Sequence, residues 1–535
     1  MIGQKVGIVQ ALDRKTRNLT IAHLRRIIDN MPAGGKPTIA RRSLHASQYG
    51  CVCPIDTPEG QKVGLNKGLS IISHITFGCL TKPIIDFIIE EGLELLTDLL
   101  PTETQNMCKV FVNGNWIGCH RDPEYLNNIF KLYRRNGLIN IFISITWNRS
   151  INEIVIFADG GRFVRPLYII EKNDLLLQPK HIRDINNKTL TFTDLVSGFG
   201  KRRNNNAYSY YNDDVKDLSI LGLNRNDNLY IDKLRDTQAI IEYVDSQEFD
   251  TLMLSIGFNI SPSNLQKFTH VELHPSMMLS FNAHLLPFGE HNHAARVIFS
   301  SKHVKQGIST FALNFNNRID NSALILNYPE LPFTQGRLHN AITHDKFGHG
   351  NNIYIAIAKY NYSQEDAIVG NQSAIDMGLF HTSHYKMYSD HEMTDPKTGS
   401  SEHFYNPTFK TEMPNYPDEL VLKQNLRMNY NNIDKYGLPK KGTIINENDV
   451  VIGKYMKGKD DLGNDSYRDI STTTKKGNEN SVVDCVYTWQ TNADGDRAVK
   501  IRMCQNRPPV LGDKFASRCG QKGTLGIILK KEVDF

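Results

Sequence analysis

The segment at residues 507–535, RPPVLGDKFASRCGQKGTLGIILKKEVDF, places fixed cations on a glycine-rich stretch. Lys514, Arg518 and Lys522 lie among four glycines. Glycine allows a backbone to approach a ligand closely and to adopt unusual dihedral angles, so the lysines would act as point charges on an anionic group. GQKGT matches only the end of the P-loop signature GxxxxGK[ST], and a nucleotide site of that type is therefore not predicted.

Two adjacent acids, Glu365 and Asp366, follow the apolar run IYIAIA, which predicts a strand. Carboxylates at that position could hold Mg²⁺ through its waters beside a triphosphate. Helix capping is the alternative, because Ser363 precedes acids that suit the first turn of a helix. The residues alone leave both interpretations open.

The stretch LLPFGEHNHAARVIFSSKHVKQGIS contains Arg296 and Lys305, nine residues apart. In a helix this spacing is about two and a half turns, so the two cations would serve different points along a groove. Glu290, His291 and His293 suggest a metal site or a nuclease. The two histidines lack the i, i+4 helical spacing of a zinc site and no further ligand follows at a suitable interval, so neither is predicted.

Near the N-terminus, AHLRR and ARRSLHASQYGCVCPIDTPEG place four arginines, including Arg42, and His45 around a Gly-Gly loop. A guanidinium fork suits phosphate, so such a loop could follow a nucleic acid backbone. The alternative is a surface loop with ion pairs to Asp56 and Glu59.

The segment TNADGDRAVK looks like a magnesium-binding aspartate loop but lies between the predicted strands SVVDCVYTWQ and RAVKIRMC. Asp494-Gly495 is a hairpin signal. We interpret Asp494 and Asp496 as turn residues.

Composition limits the class of protein. A chain of 535 residues, 40% hydrophobic and 22% charged, should divide into about three or four globular domains. With a net charge of only +5, nucleic acid binding requires cations gathered on one face. No apolar run approaches ~20 residues and no signal peptide is apparent, so no membrane span is expected. The eight cysteines form no CxxC pair, which argues against a zinc ribbon and favours a reducing compartment with mostly buried thiols.

Local patterns predict a mixed α+β, multidomain fold. Helices are predicted for TIAHLRRIIDN and PEYLNNIFKLYRRNG, and IDFIIEEGLELLTDLL is a helix or connector. CKVFVNGNWIGCH predicts a hairpin at Asn113-Gly114, and EIVIFADGGRFVRPLYII a second one around Asp159-Gly160-Gly161. Residues 200–216 predict an exposed loop, and residues 382–506 are mainly strands.

These motifs in this order closely resemble the second-largest subunit of multisubunit, DNA-dependent RNA polymerases, of the eukaryotic and large-DNA-virus type. The resemblance is carried by LHASQYGCVCPIDTPEGQKVGLNKGLS, HVELHPSMMLS, PFGEHNHAAR, YSQEDAIVGNQSAID and GDKFASRCGQKGTLGI, and covers essentially the whole chain. It implies five regions: 1–80 as the fork, 81–270 as external domains, 271–381 as the first part of the hybrid-binding region, 382–506 as the wall (flap), and 507–535 as the hybrid-binding region resumed and truncated.

The resemblance also implies roles for single residues. Asp366, with Glu365, falls where the family's acidic pair approaches the second Mg²⁺, and Arg296 where an arginine reaches the nucleotide's phosphates. Lys514 and Lys522 match two lysines against the RNA 3′ end and the reaction centre.

Arg42 and Glu59 match fork residues near the downstream edge of the RNA–DNA hybrid. Lys305 and Arg518 are also expected to bind nucleic acid. The primary Mg²⁺ would be held by aspartates of the largest subunit. Mg²⁺ is therefore expected as a shared cofactor, and no zinc site is expected in this chain.

Several departures mark a divergent member. Cys519 stands where the family usually has histidine, NHAAR replaces NQSPR, and NYSQED replaces GYNQED. The family's protrusion and lobe before the fork, and its zinc-bearing clamp after the hybrid-binding region, have no counterpart here. The chain is therefore expected to be a fragment, a split-gene product or an intein-interrupted piece.

The predicted function is a portion of the catalytic core of DNA-dependent RNA polymerase, active only with the largest subunit. Expected partners are the largest and smaller polymerase subunits, the DNA template, the RNA–DNA hybrid and NTPs, with no membrane. The alternative is a truncated, non-catalytic homologue that acts as an assembly scaffold. The expected location is intracellular, in the nucleus or, for a viral protein, in a cytoplasmic virus factory or virion. The Asn, Ile and Lys content suggests an AT-rich genome, and the departures from the family's motifs suggest a large DNA virus.

Overall fold

The computed structural model describes residues 9–29, 39–200, 214–225, 227, 229–258, 265–344, 346–358, 365–408, 428–459, 462–474, 477, 480–491 and 496–530. The chain divides into two compact units, one of residues 1–24 and 284–535 and the other of residues 25–283. Helices and several sheets occur in both units, which confirms the predicted mixed α+β, multidomain fold. No helix in the described ranges is long and apolar enough to cross a bilayer.

The helices are short, and most of them connect strands. They are α1 (Arg17–Leu24), α2 (Ile39–Arg42), α3 (Lys82–Glu90), α4 (Pro123–Arg135), α5 (Pro179–Asn186), α6 (Phe192–Ser197), α7 (Tyr230–Thr237), α8 (Ser246–Phe249), α9 (Phe281–His284), α10 (Ala294–Gln306), α11 (His339–Thr343) and α12 (Gln372–Asp376).

Among the described residues of the unit 25–283, thirteen strands form one five-stranded sheet, a second sheet around one long strand, and a two-stranded ribbon. They are β1 (Arg26–Ile28), β2 (Asn66–Gly68), β3 (His74–Ile75), β4 (Glu94–Leu95), β5 (Cys108–Val112), β6 (Asn115–His120), β7 (Ser144–Asn148), β8 (Glu153–Phe157), β9 (Phe163–Glu171), β10 (Asp174–Leu175), β11 (Ile241–Asp245), β12 (Leu254–Ser255) and β13 (His270–Val271). The five-stranded sheet has the order β4-β6-β5-β8-β7, and β9 pairs with β3, β10, β11 and β13.

The core of this unit forms because α4 is amphipathic. Its residues Leu126, Ile129, Phe130 and Tyr133 are buried in one cluster with the inward residues of β5 and β8. The helix begins at a proline and its N-cap, Asp122, accepts a hydrogen bond from the Tyr125 amide at 3.0 Å. The helix predicted from PEYLNNIFKLYRRNG is confirmed.

Arg134, on the same helix, is fully buried and bonds to two acids. Its guanidinium donates to Glu248 at 2.8 Å and to Glu242 at 2.9 Å, joining α4 to α8 and β11. A buried charge of this kind is tolerated only when paired and hydrogen-bonded.

The hairpin at Asn113-Gly114 is confirmed. β5 and β6 pair antiparallel, and both turn residues have positive φ, 47° and 83°, as a two-residue turn of this type requires.

The second predicted hairpin is wrong, although both of its strands exist. β8 pairs with β5 and β7, whereas β9 belongs to the other sheet. The intervening loop bonds to Thr76 instead, whose amide donates to the Arg162 carbonyl and whose carbonyl accepts from the Gly161 amide. That contact directs the chain from one sheet to the other.

In the unit of residues 1–24 and 284–535, the strands that the structure describes build four sheets. They are β14 (Ser322–Leu326), β15 (Ala367–Asn371), β16 (Thr382–His391), β17 (Thr394–Asp395), β18 (Ser400–Phe404), β19 (Ile444–Ile445), β20 (Val450–Ile452), β21 (Lys454–Lys459), β22 (Asp465–Asp469), β23 (Thr472–Thr473), β24 (Ser481–Thr491), β25 (Arg497–Arg507), β26 (Lys514–Ala516) and β27 (Lys522–Leu529). The sheet orders are β14-β16-β25-β24-β19, β17-β18-β21-β22, β20-β23 and β15-β27-β26.

The strands predicted on either side of TNADGDRAVK are β24 and β25, which pair antiparallel as expected. The turn at Asp494-Gly495 lies outside the described residues, as does most of the loop predicted at 200–216. Four of the eight cysteines are buried, at positions 51, 53, 108 and 119, and all eight are free thiols.

Three local predictions are corrected. TIAHLRRIIDN is helical only to Leu24, because the next residues pair with β2 as β1. The helix in IDFIIEEGLELLTDLL ends at Glu90, since Gly92 has a φ of 102° and β4 follows. IYIAIA forms no strand: the described residues offer it no pairing partner, and Ile357 is 98% exposed.

Candidate nucleic-acid interface

The three-stranded sheet of β15, β27 and β26 brings together residues that are about 150 positions apart in sequence. Thr524 on β27 pairs with Ala367 on one side and with Lys514 on the other. Asp366 immediately precedes β15, and its carbonyl accepts a hydrogen bond from the Thr524 amide at 3.3 Å. Because neighbouring strands lie about 4.8 Å apart, the Lys514 and Ala367 backbones are separated by about 10 Å.

Lys514 and Lys522 extend from the same face of this sheet. Lys514 is paired with Thr524 and Lys522 with Ala516, so the two lysines are diagonal neighbours about 7–8 Å apart. Both are exposed, and neither forms an ion pair with any residue in the described ranges. Two like charges at this distance repel, so a shared anionic ligand would lower their energy.

The opposite face of the hairpin is packed against the protein. Phe515 contacts Phe380, with ring centroids 4.6 Å apart. Gly523 has no room for a side chain, because a Cβ there would lie 2.6 Å from Ile368 and 2.9 Å from the Asp366 carbonyl oxygen. The alternation of buried and exposed residues therefore directs both lysines to solvent.

The acidic pair lies in a turn before a strand and not in the first turn of a helix. The residues after Asp366 form β15, and the following helix, α12, is capped by Asn371, whose Oδ1 accepts from the Ser373 amide at 2.8 Å. The capping interpretation of the acids is therefore wrong. Ser363 lies outside the described residues.

Glu365 has a φ of 53°, a left-handed conformation that costs a non-glycine residue roughly 1–2 kcal/mol. Such strain concentrates at functional sites. Glu365 and Asp366 are both exposed, and neither carboxylate bonds to another residue within the described part of the chain.

The acidic pair fits Mg²⁺ as a partial site. Carboxylate oxygens suit this ion, which usually takes one or two of them and completes its shell with water and substrate phosphates. No group of three or more potential metal ligands occurs among the described side chains. Glu365 and Asp366 could therefore supply part of a coordination shell, with the remaining ligands coming from elsewhere.

Helix α10 contributes Arg296 from its first turn. The side chain is exposed, and Nη1 donates to the Gly520 carbonyl at 3.2 Å. Lys305, nine residues along the same helix, lies about 13 Å away at 1.5 Å per residue, as the sequence predicts for cations serving different points. The Lys305 carbonyl accepts a hydrogen bond from Thr16 Oγ1 at 2.9 Å.

The loop between β26 and β27 lies directly on α10. Gly520 has a φ of 76°, and a Cβ there would lie 2.6 Å from the Arg296 carbonyl oxygen. Ser300, which is buried, donates its hydroxyl to the Arg518 carbonyl. Ser300 was not recognised from the sequence, because nothing local marks a serine that bonds a loop 218 residues away.

The Arg518 guanidinium is directed toward backbone carbonyls. Nη1 donates to Leu285 O at 3.1 Å and Nη2 to Thr334 O at 2.7 Å. Burial lowers the pKa of this guanidinium below its ordinary value.

Arg42 and Glu59 lie in the unit of residues 25–283. Arg42 ends α2, and its Nη1 donates to the Val63 carbonyl at 2.8 Å. Glu59 is exposed and precedes a short 3₁₀ turn at Gly60–Lys62. In the same region Arg41 pairs with Asp29 at 3.6 Å.

Glu290 and His291 form an exposed pair, 3.8 Å apart, in the 3₁₀ turn before α10. The side chains around them, in the part of the chain that the structure describes, do not assemble a third ligand.

Comparison with known protein families gives three matches, all to domains of one protein. RNA polymerase Rpb2, domain 6 matches residues 282–534, domain 4 matches residues 110–171, and domain 3 matches residues 10–75.

Curated relatives match along nearly the whole chain. DNA-directed RNA polymerase II subunit RPB2 of Meyerozyma guilliermondii is 35% identical over 99% of this chain and 44% of that protein. DNA-directed RNA polymerase II subunit 2 of Arabidopsis thaliana is 32% identical, over 99% of this chain and 42% of its own length. DNA-directed RNA polymerase subunit Rpo2 of Sulfolobus acidocaldarius is 28% identical, over 99% of this chain and 43% of that protein. The chain thus spans less than half the length of these relatives, all from cellular organisms.

Proposed function

The chain belongs to the RNA polymerase Rpb2 family, the second-largest subunits of DNA-directed RNA polymerases, and from this premise we propose that it forms part of the core that synthesises RNA from NTPs on a DNA template. One observation carries the proposal. Two exposed lysines without acidic partners in the described ranges share a face of a sheet whose next strand begins at an exposed acidic pair. This sheet lies within the segment matched by Rpb2 domain 6.

The lysines are suited to hold phosphates of the RNA–DNA hybrid near the growing end. Lys514 and Lys522 are fixed by strand pairing, so their charges need little reorganisation when a phosphate group approaches. During nucleotide addition the 3′-hydroxyl oxygen bonds to the α-phosphorus, and the bond from that phosphorus to the bridging oxygen breaks as pyrophosphate leaves. Cations placed beforehand stabilise the charge that develops on those oxygens.

Arg296 is suited to orient the incoming triphosphate. It is exposed, and within the part of the chain that the structure describes its guanidinium donates to the Gly520 carbonyl through one of its five N–H groups. The remaining donors could bind phosphate oxygens bidentately, and such orientation contributes to rate as well as to affinity.

Asp366 and Glu365 would hold the second Mg²⁺ from the side of this chain. When bound, that ion neutralises charge on the phosphates of the nucleotide. The primary ion would be held by the largest subunit, so this chain alone should not extend a primer.

The remaining assignments are part of the same proposal. Residues 1–80, with Arg42 and Glu59, would form the fork, and residues 81–270 the external domains. Residues 382–506 would form the wall, and the partners would be the largest and smaller subunits, DNA template, RNA–DNA hybrid and NTPs. The intracellular location and a viral origin stay predictions.

Asp366→Asn in the assembled polymerase tests the proposal. Nucleotide addition to a preformed RNA–DNA scaffold should slow by at least tenfold while scaffold binding stays within about twofold, because the carboxylate acts mainly in the transition state. Asp376→Asn, an exposed acid on α12 in the same unit, is the matched control and should retain the wild-type rate. Unchanged addition in Asp366→Asn would favour the scaffold alternative, and equal losses of binding and rate would indicate a folding role.

A further inference from the structure

The loop that joins β26 to β27 is held from several directions. It closes on itself through a hydrogen bond from the Ser517 amide to the Gln521 carbonyl at 3.2 Å. Lys514 and Lys522 lie at its two ends. Any movement of this loop would therefore move both lysines together.

On one side the loop is fastened to helix α10. Ser300 donates to the Arg518 carbonyl, Arg296 donates to the Gly520 carbonyl, and Gly520 itself is in contact with the helix backbone. Ser300 is 1% exposed, so its hydroxyl is shielded from water and depends on the Arg518 carbonyl as its acceptor.

The Arg518 side chain forms hydrogen bonds to two further segments of the chain. It donates to the carbonyls of Leu285 and Thr334, which are 233 and 184 residues away in sequence. A second, weaker contact reaches Thr334 Oγ1 at 3.5 Å. No acid in the described ranges forms an ion pair with Arg518, so backbone carbonyl dipoles stabilise its half-buried charge.

We propose that Arg518 is a positioning residue, which fixes the β26–β27 hairpin and thereby sets the place of Lys514 and Lys522 without itself binding phosphate. The Arg518 guanidinium donates to the carbonyls of Leu285 and Thr334 at the same time. The backbone carbonyl of Arg518 accepts a hydrogen bond from Ser300, so this one residue connects the hairpin to three other segments. The role of the two lysines in holding the hybrid rests on the proposed function. The fastening of the hairpin by Arg518 is independent of the proposed function, because it follows from the hydrogen bonds alone.

Hydrogen exchange of the intact chain tests the fastening without nucleic acid. Arg518→Ala and Arg518→Lys should each raise amide exchange in β26 and β27 by at least about fivefold, since an ammonium does not reproduce the planar fork. Arg502→Ala is the matched control. Arg502 donates to the Asn316 carbonyl at 2.7 Å and to the Asp484 carboxylate at 2.6 Å in the same unit, and none of its hydrogen bonds among the described residues reaches the hairpin. Unchanged exchange in the Arg518 variants would overturn the inference.

Ser300→Ala provides a variant that changes no charge. It removes the hydroxyl that binds the Arg518 carbonyl and should also raise exchange in the hairpin. If Ser300→Ala weakens binding of an RNA–DNA hybrid, the effect must pass through the position of the loop, because no cation is lost. Wild-type exchange and wild-type hybrid binding in this variant would contradict the proposal.

A salt series of hybrid binding separates positioning from direct contact. Arg518→Lys should weaken binding as much as Arg518→Ala does, and neither should weaken it further when Lys514 and Lys522 are already alanine. If Arg518 instead contacts phosphate, Arg518→Lys should bind as wild type. In that case Arg518→Ala should lower the magnitude of the log–log slope by about 0.7–0.9 in both backgrounds. That result would overturn positioning. Absence of salt-dependent hybrid binding by the wild-type chain would refute the proposed function, and the exchange measurement would still decide the role of Arg518.

Discussion

Replacing Gly520 with alanine adds a methyl group 2.6 Å from the Arg296 carbonyl oxygen and 3.3 Å from the Phe299 Cβ. Both neighbours belong to helix α10, and the nearest is backbone, so relief requires the loop and the helix to separate. Overpacking of this kind costs about 1–3 kcal/mol. The φ of 76° adds roughly 1–2 kcal/mol for any residue with a Cβ.

Comparison of Gly520→Ala with Gly512→Ala isolates the steric part of that cost. Gly512 has a φ of 96°, and a Cβ at this position would meet nothing within 4 Å, so its substitution carries only the dihedral penalty. Native-state hydrogen exchange of β26 and β27 should therefore be faster in Gly520→Ala than in Gly512→Ala by about 5- to 150-fold, the equivalent of 1–3 kcal/mol. Equal exchange in the two variants would refute the close contact between the loop and α10.

Other predictions concern buried charge. Burial lowers the pKa of His349 to about 4 from 6.5, so between those values the unfolded chain binds more protons than the folded one. The free energy of unfolding of its unit should fall by up to about 3 kcal/mol as the pH drops through that window, and His349→Gln should remove most of that dependence in urea titrations. Arg134→Met should lower the free energy of unfolding by about 3–5 kcal/mol, because it leaves Glu242 and Glu248 short of a buried partner. The control is Arg149→Met, at an exposed site with a cation–π contact to Trp147, and it should lower the free energy of unfolding by about 1 kcal/mol or less. A similar loss of stability in Arg134→Met and Arg149→Met would contradict the burial of Arg134.

Local features of the fold could be predicted from the sequence where one segment contains all the information. The Asn113-Gly114 hairpin and helix α4 are cases of this kind, since turn chemistry and helical periodicity are both local. The pairing of β9 could not be predicted, because its partners lie as far away as His74 and Val271. IYIAIA has strand composition, yet composition cannot supply a pairing partner.

The candidate site also combines features that one segment of sequence encodes with features that depend on distant segments. The residue types of the acids and lysines indicated anionic chemistry, but only the register of β15, β26 and β27 brings Asp366 and Lys514 to opposite sides of Thr524. The sequence also assigned Arg518 to nucleic acid along with the lysines. Its bonds to carbonyls 184 and 233 residues away carry no local signal.

The salt dependence of RNA–DNA hybrid binding tests the central claim most directly, because it counts the phosphates that the lysine face neutralises. Lys514→Ala/Lys522→Ala should lower the magnitude of the log–log slope by about 1.4–1.8 relative to the wild-type chain, with little dependence on hybrid sequence. Lys180→Ala/Lys188→Ala removes the same charge from exposed positions in the other unit and should leave the slope unchanged. An unaltered slope in the Lys514/Lys522 variant, or an equal change in the control, would contradict the assignment of this face to nucleic acid.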